Sequence, residues 1–113
     1  MDFDKEIERH QLWRSMVESL FNKSAKDFAI PALISDDHHC ELGQWIYSKE
    51  SEPYSQDSVF ETLVEIHKEF HQIAGKIMSL FKQGEDQKAV SLEAKFYILS
   101  DEIIDCLNEL KTR

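Results

Sequence analysis

Segment 56–82 runs without a proline, and Phe60, Leu63, Val64, His67, Phe70, His71, Ala74, Ile77, Met78 and Phe81 recur along it at three- and four-residue spacing. That period matches one face of an α-helix, so the segment predicts a long helix with a wide apolar stripe. Ser58 and Glu61 stand at capping-box spacing near its start, and Gly84 supplies a stop. Two further segments share the period. Residues 4–22, with Phe3 just ahead of them, carry Ile7, Trp13, Val17, Leu20 and Phe21, and His10 falls on the same stripe. Residues 86–111 carry Ala89, Leu92, Phe96, Leu99, Ile103, Cys106 and Leu110 on an inner face.

A short helix is expected over 38–48, with Gly43 inside it, where glycine costs roughly 1 kcal/mol against alanine and marks the close approach of a neighbouring helix. Ser35, Asp36 and Asp37 form a natural N-cap cluster before it. Segment 23–39 is the least regular: Pro31 interrupts it, and short helical turns are expected near 26–29. Pro53 makes 49–56 a loop. The expected fold is therefore all-α: an antiparallel four-helix bundle of three long helices and one short helix carrying Cys40, in a single domain over 1–113.

Charge narrows the function classes. Thirteen Lys and Arg face 22 Asp and Glu, a net charge of −9, and no basic stripe is present. Nucleic acid is not an expected partner, and an anionic membrane surface would repel the chain. A divalent cation or a protein partner fits this charge better. No apolar run approaches the ~20 residues that span a bilayer, and the acidic start MDFDKEIERH is not a secretory signal. A cytoplasmic setting is expected, in which the two cysteines, Cys40 and Cys106, serve as a ligand and a buried thiol rather than as a disulfide.

The chemistry lies in the histidines and one cysteine. His67 and His71, four apart on the longest helix, place both imidazoles on one face among core positions. Two such rings can share one metal ion, which also satisfies polar groups that burial would otherwise strand. Cys40 begins the short helix, where the helix dipole favours thiolate, the metal-binding form. His10 offers a fourth donor from a third helix. A His₃Cys set in tetrahedral geometry suits Zn²⁺. Spacing alone does not separate His10 from His38 or His39, which flank Cys40.

Three motifs in order carry a resemblance: His10-Gln-Leu-Trp13, the Cys-x-x-Gly-x-Trp run Cys40-Glu-Leu-Gly43-Gln-Trp45, and His67-Lys-Glu-Phe-His71 preceded by Phe60 and Leu63. Over about 5–110 the chain resembles the chemoreceptor zinc-binding domain family of bacterial signalling proteins. The resemblance implies that His10, Cys40, His67 and His71 are the zinc ligands and that His38 and His39 face solvent. It implies a four-helix domain that pairs into a homodimer and works with a chemotaxis signalling region or a diguanylate cyclase. It implies a regulatory zinc site, responsive to zinc itself or to oxidation of Cys40 by an oxidant such as hypochlorous acid. A purely structural zinc in a helical interaction module is the alternative.

An enzyme is not expected: no phosphate-cradling glycine loop and no nucleophile elbow occur, and four protein ligands leave zinc no open position for water. A di-iron bundle would carry Glu-x-x-His pairs, and the sequence has none. Trp13, Trp45 and Tyr47 are read as packing residues, with one edge of Trp45 supporting the metal shell. The aromatic surplus at Phe60, Phe70, Phe81, Phe96 and Tyr97 points to a dimer face on the last helix.

Overall fold

A computed structural model describes residues 1–21, 36–38 and 40–113. The expectations for 22–35, including the turns near 26–29, and for His39 lie outside the described residues. Five α-helices occur among them: α1 (Phe3–Phe21), α2 (Glu41–Ile46), α3 (Ser58–Lys82), α4 (Asp86–Val90) and α5 (Glu93–Lys111). A 3-10 helix, Lys49–Tyr54, sits between α2 and α3, where a loop was expected. The described residues hold no strand, so the all-α expectation stands, with three long helices and short ones packed against them.

The segment expected as one helix over 86–111 is two. Neither glycine nor proline marks the break. Ser91 Oγ donates to the Lys88 carbonyl at 2.6 Å, the acceptor that a continuing helix would offer to the Leu92 N–H, and that N–H donates to Ala89 instead. A serine side chain thus competes with the backbone and ends the turn. The start of α3 also differs from the capping-box reading. Asp57 is the N-cap, its Oδ1 accepting from the Val59 N–H at 2.9 Å, and Ser58 is already helical. Gly84 ends α3 at φ +77, a conformation open to glycine.

Ion pairs and ring contacts fix the directions. Asp4 meets Lys111 at 2.7 Å and Arg14 meets Asp101 at 2.6 Å, so α1 and α5 are antiparallel. Asp57, the N-cap of α3, meets Arg113, just past the end of α5, at 2.7 Å, and Glu69 meets Lys95 at 3.0 Å, so α3 and α5 are antiparallel too. The long helices α1 and α3 consequently run parallel, with Phe21 against Phe81 at one end. Residues of α2 and of the 3-10 helix pack where α1 and α3 begin. There Phe3 meets Trp45 at 5.6 Å and Tyr54 at 6.0 Å, and Trp45 meets Phe60 at 5.8 Å.

The stripes read from the sequence form the core. Val17, Leu63, Phe70, Ala74, Ile77, Ala89, Phe96, Leu99, Ile103 and Leu110 are buried, joined by Leu42 and Leu107. Phe60, Phe70 and Phe96 are buried and Tyr97 lies beneath the Arg14 guanidinium, 4.7 Å from the ring centre. Phe81 and Tyr97 are half-buried, and Ile98 on α5 is a large apolar side chain left exposed.

Candidate metal centre

The site lies where α1, the N-terminus of α2 and the middle of α3 converge. The apolar stripe of α1 carries His10 inward, 1% exposed. His67 and His71, one helical turn apart on α3, are 0% and 1% exposed, with ring centres 4.5 Å apart. Cys40 is the N-cap of α2, and its Sγ accepts from the Gly43 N–H at 3.3 Å.

His67 Nε2 is the meeting point. It lies 3.1 Å from Cys40 Sγ and 3.1 Å from His71 Nε2. Donor atoms of His10, Cys40 and His67 all fall within 4.8 Å of one another. With zinc bonds of ~2.0–2.1 Å to nitrogen and ~2.3 Å to sulfur, tetrahedral ligand atoms stand about 3.3 Å (N to N) or about 3.6 Å (N to S) apart. The cluster is already close to that spacing.

Hydrogen bonding alone does not account for these contacts. A single ring nitrogen carries either one hydrogen or one lone pair, yet His67 Nε2 faces two partners. Both ring nitrogens of His10 and Nδ1 of His67 are buried with no hydrogen-bond partner. Stranded polar atoms of this kind each cost about 1–3 kcal/mol. A cation held by His10, Cys40, His67 and His71 would take up such lone pairs.

Burial sets the protonation states. It presses the His10 pKa down to about 3 and that of His67 down to about 2, with the neighbouring imidazoles adding to the effect. His10 and His67 are therefore neutral, the form that binds a metal. Burial also pushes the Cys40 thiol up to about 11, outweighing the Gly43 N–H, and the charges of Glu6 and Asp37 push the same way. The expected lowering at a helix N-terminus is thus overridden while no cation is present, and a bound dication reverses that balance.

The surrounding shell corrects two expectations. Trp45 packs on Phe3, Tyr54 and Phe60, and the rings that touch the histidines are Trp13 and Phe70. Gly43 makes room for backbone rather than for a neighbouring helix: a Cβ there would fall on the Asp37 carbonyl of the preceding turn. That turn is held by the Tyr47 hydroxyl, which donates to the Asp37 carboxylate, and by His38 stacked on the Tyr47 ring at 3.8 Å. His38 is exposed, as expected.

Sequence reasoning passed over Glu6 and Arg9. Glu6 is 3% exposed, and Arg9 pairs with it at 2.8 Å and with Glu41. Glu6 stands four residues before His10, on the same helix face, and that spacing was the available signal.

No helix of the described residues is long and apolar enough to cross a membrane. No curated protein and no solved structure matches the chain. A family model does, the chemoreceptor zinc-binding domain, over residues 10–78, which takes in His10, Cys40, His67 and His71. Motif order, a buried His/Cys cluster near zinc-ligand spacing and that match agree, and the chain belongs to the chemoreceptor zinc-binding domain family.

Proposed function

We propose that this chain is a regulatory domain whose state is set by one zinc ion held by His10, Cys40, His67 and His71. The observation that carries this reading is the pair of buried, partnerless nitrogens on His10 beside a His67 Nε2 that faces two donors. Zinc supplies a multivalent crosslink, because its ligands come from α1, the cap of α2 and α3. Occupancy then decides how firmly α2 is seated against the two long helices.

Four protein ligands leave no position for substrate, so the proposed role is sensing and not catalysis. Either zinc itself or an oxidant is the signal. A hypochlorous-acid-type oxidant would take Cys40 to the sulfenic acid, with chloride leaving, and so remove the anionic ligand. The whole chain, 1–113, acts as one cytoplasmic domain, through a homodimer or through a chemotaxis or diguanylate cyclase partner. Nucleic acid and membrane are not among its partners.

Zinc titration of the native protein and of Cys40→Ala tests the assignment. One ion per chain and at least a tenfold weaker variant are expected, since a lost ligand costs well over 1.4 kcal/mol. Equal affinities would remove Cys40 from the site. The deep burial of all three rings also favours a purely structural zinc. Circular dichroism after chelation separates the two: a regulatory site leaves a folded, altered domain, and a structural one leaves an unfolded chain.

A further inference from the structure

On α1, Arg9 directly precedes His10, and at the start of α2 Glu41 directly follows Cys40. Arg9 Nη1 lies 2.8 Å from Glu6 Oε1 on its own helix, and the same atom pairs with Glu41 Oε2 on α2. One guanidinium therefore joins the two segments that present His10 and Cys40. Near the site, α2 itself is six residues long, and the ring contact of Phe3 with Trp45 also ties it to α1, one turn further along α2.

We propose that Arg9 is a positioning residue for the metal centre, its bridge between buried Glu6 and Glu41 holding Cys40 in register with the histidines. The inference rests on the zinc reading above. Glu6 anchors the bridge because a carboxylate buried this far needs a fixed counter-charge. Arginine fits the role, since Nη1 carries two N–H donors fixed in a rigid plane and meets both carboxylates, whereas the lysine ammonium is a freely turning point charge. The outer pair is open to solvent, with the Glu41 side chain 58% exposed, and all three residues line one surface cleft of about 400 Å³. Salt should therefore loosen it.

Cobalt(II) is the probe, because its thiolate charge-transfer band reports the Cys40 bond directly. The second readout is the rate at which an alkylating reagent modifies Cys40 in zinc-loaded protein, followed by peptide mass so that Cys106 does not contribute. Arg9→Ala and Glu41→Gln are expected to weaken the band and to speed alkylation about two- to fivefold, the scale of one partly exposed charge bridge. Arg9→Lys falls between, and high salt moves native protein the same way. Arg14→Ala, which breaks an ion pair from α1 to α5, leaves both readouts unchanged. If Arg9→Ala fails to fold, Glu41→Gln decides alone, being at an exposed position. Native band and native alkylation in both variants would overturn the positioning role and leave the metal centre standing. A native protein with no charge-transfer band would remove Cys40 as a ligand, and the bridge proposal with it.

Discussion

His67 Nε2 lies 3.1 Å from the Sγ of Cys40, across 27 residues of chain, and the contact joins the middle of α3 to the first turn of α2. Neither helix places these atoms by its own geometry. The packing of Leu42 and Trp45 beneath α2 brings them together.

Replacing His10 by leucine should separate folding from metal binding. The substitution removes two stranded nitrogens at similar volume, so the chelated variant should be at least as stable as chelated native protein, with about 1–3 kcal/mol available to it. Zinc binding should fall by at least about tenfold. Urea unfolding in chelator and a zinc titration check the two halves, and a destabilised variant would argue for a hydrogen-bonded core histidine.

Stability of the metal-free domain should decline in acid. His10 and His67 are held near 3 and 2 in the folded state and return to about 6.5 when unfolded. Between those values the unfolded chain binds more protons, so stability rises with pH up to about 6.5 and is flat above it from these groups. Each ring contributes up to about 1.4 kcal/mol per pH unit on the acid side. Urea midpoints from pH 7.5 to 5 in chelator measure the slope.

Zinc binding should release a proton from the Cys40 thiol, which stands near 11 without a cation. His10 and His67 are already neutral at neutral pH and release none. Apparent affinity should therefore rise about tenfold per pH unit between 7 and 9. Calorimetry in buffers of different ionisation enthalpy counts the proton, and Cys40→Ala should lose it.

Gly43→Ala should disturb both the fold and the site. Its methyl would meet the Asp37 carbonyl, a backbone atom that cannot swing aside. The turn holding Asp37 and His38 would have to shift, at about 1–3 kcal/mol, and Cys40 would shift with it. Thermal melting with and without zinc is the measurement, and the zinc-induced gain in melting temperature should shrink.

Much of this molecule was legible in the sequence because helices are written locally. A 3.6-residue period placed α1, α3 and α5 and their buried faces, since a side chain's orientation follows from its position along its own helix. His67 and His71 were a legible pair for the same reason. The break between α4 and α5 was not, because it depends on one serine hydroxyl competing for a carbonyl, with no glycine or proline to mark it.

The sequence by itself determined an acidic, all-helical chain, the inward stripe that carries His10 and the paired imidazoles of α3. Only the tertiary structure decided that α1 and α3 run parallel, that Gly43 yields to the Asp37 carbonyl, and that Cys40 meets the histidines while a shared guanidinium ties its helix to α1. Helical periodicity says which way a residue faces but not what it faces. The partner is chosen by how separate elements bury their surfaces against one another.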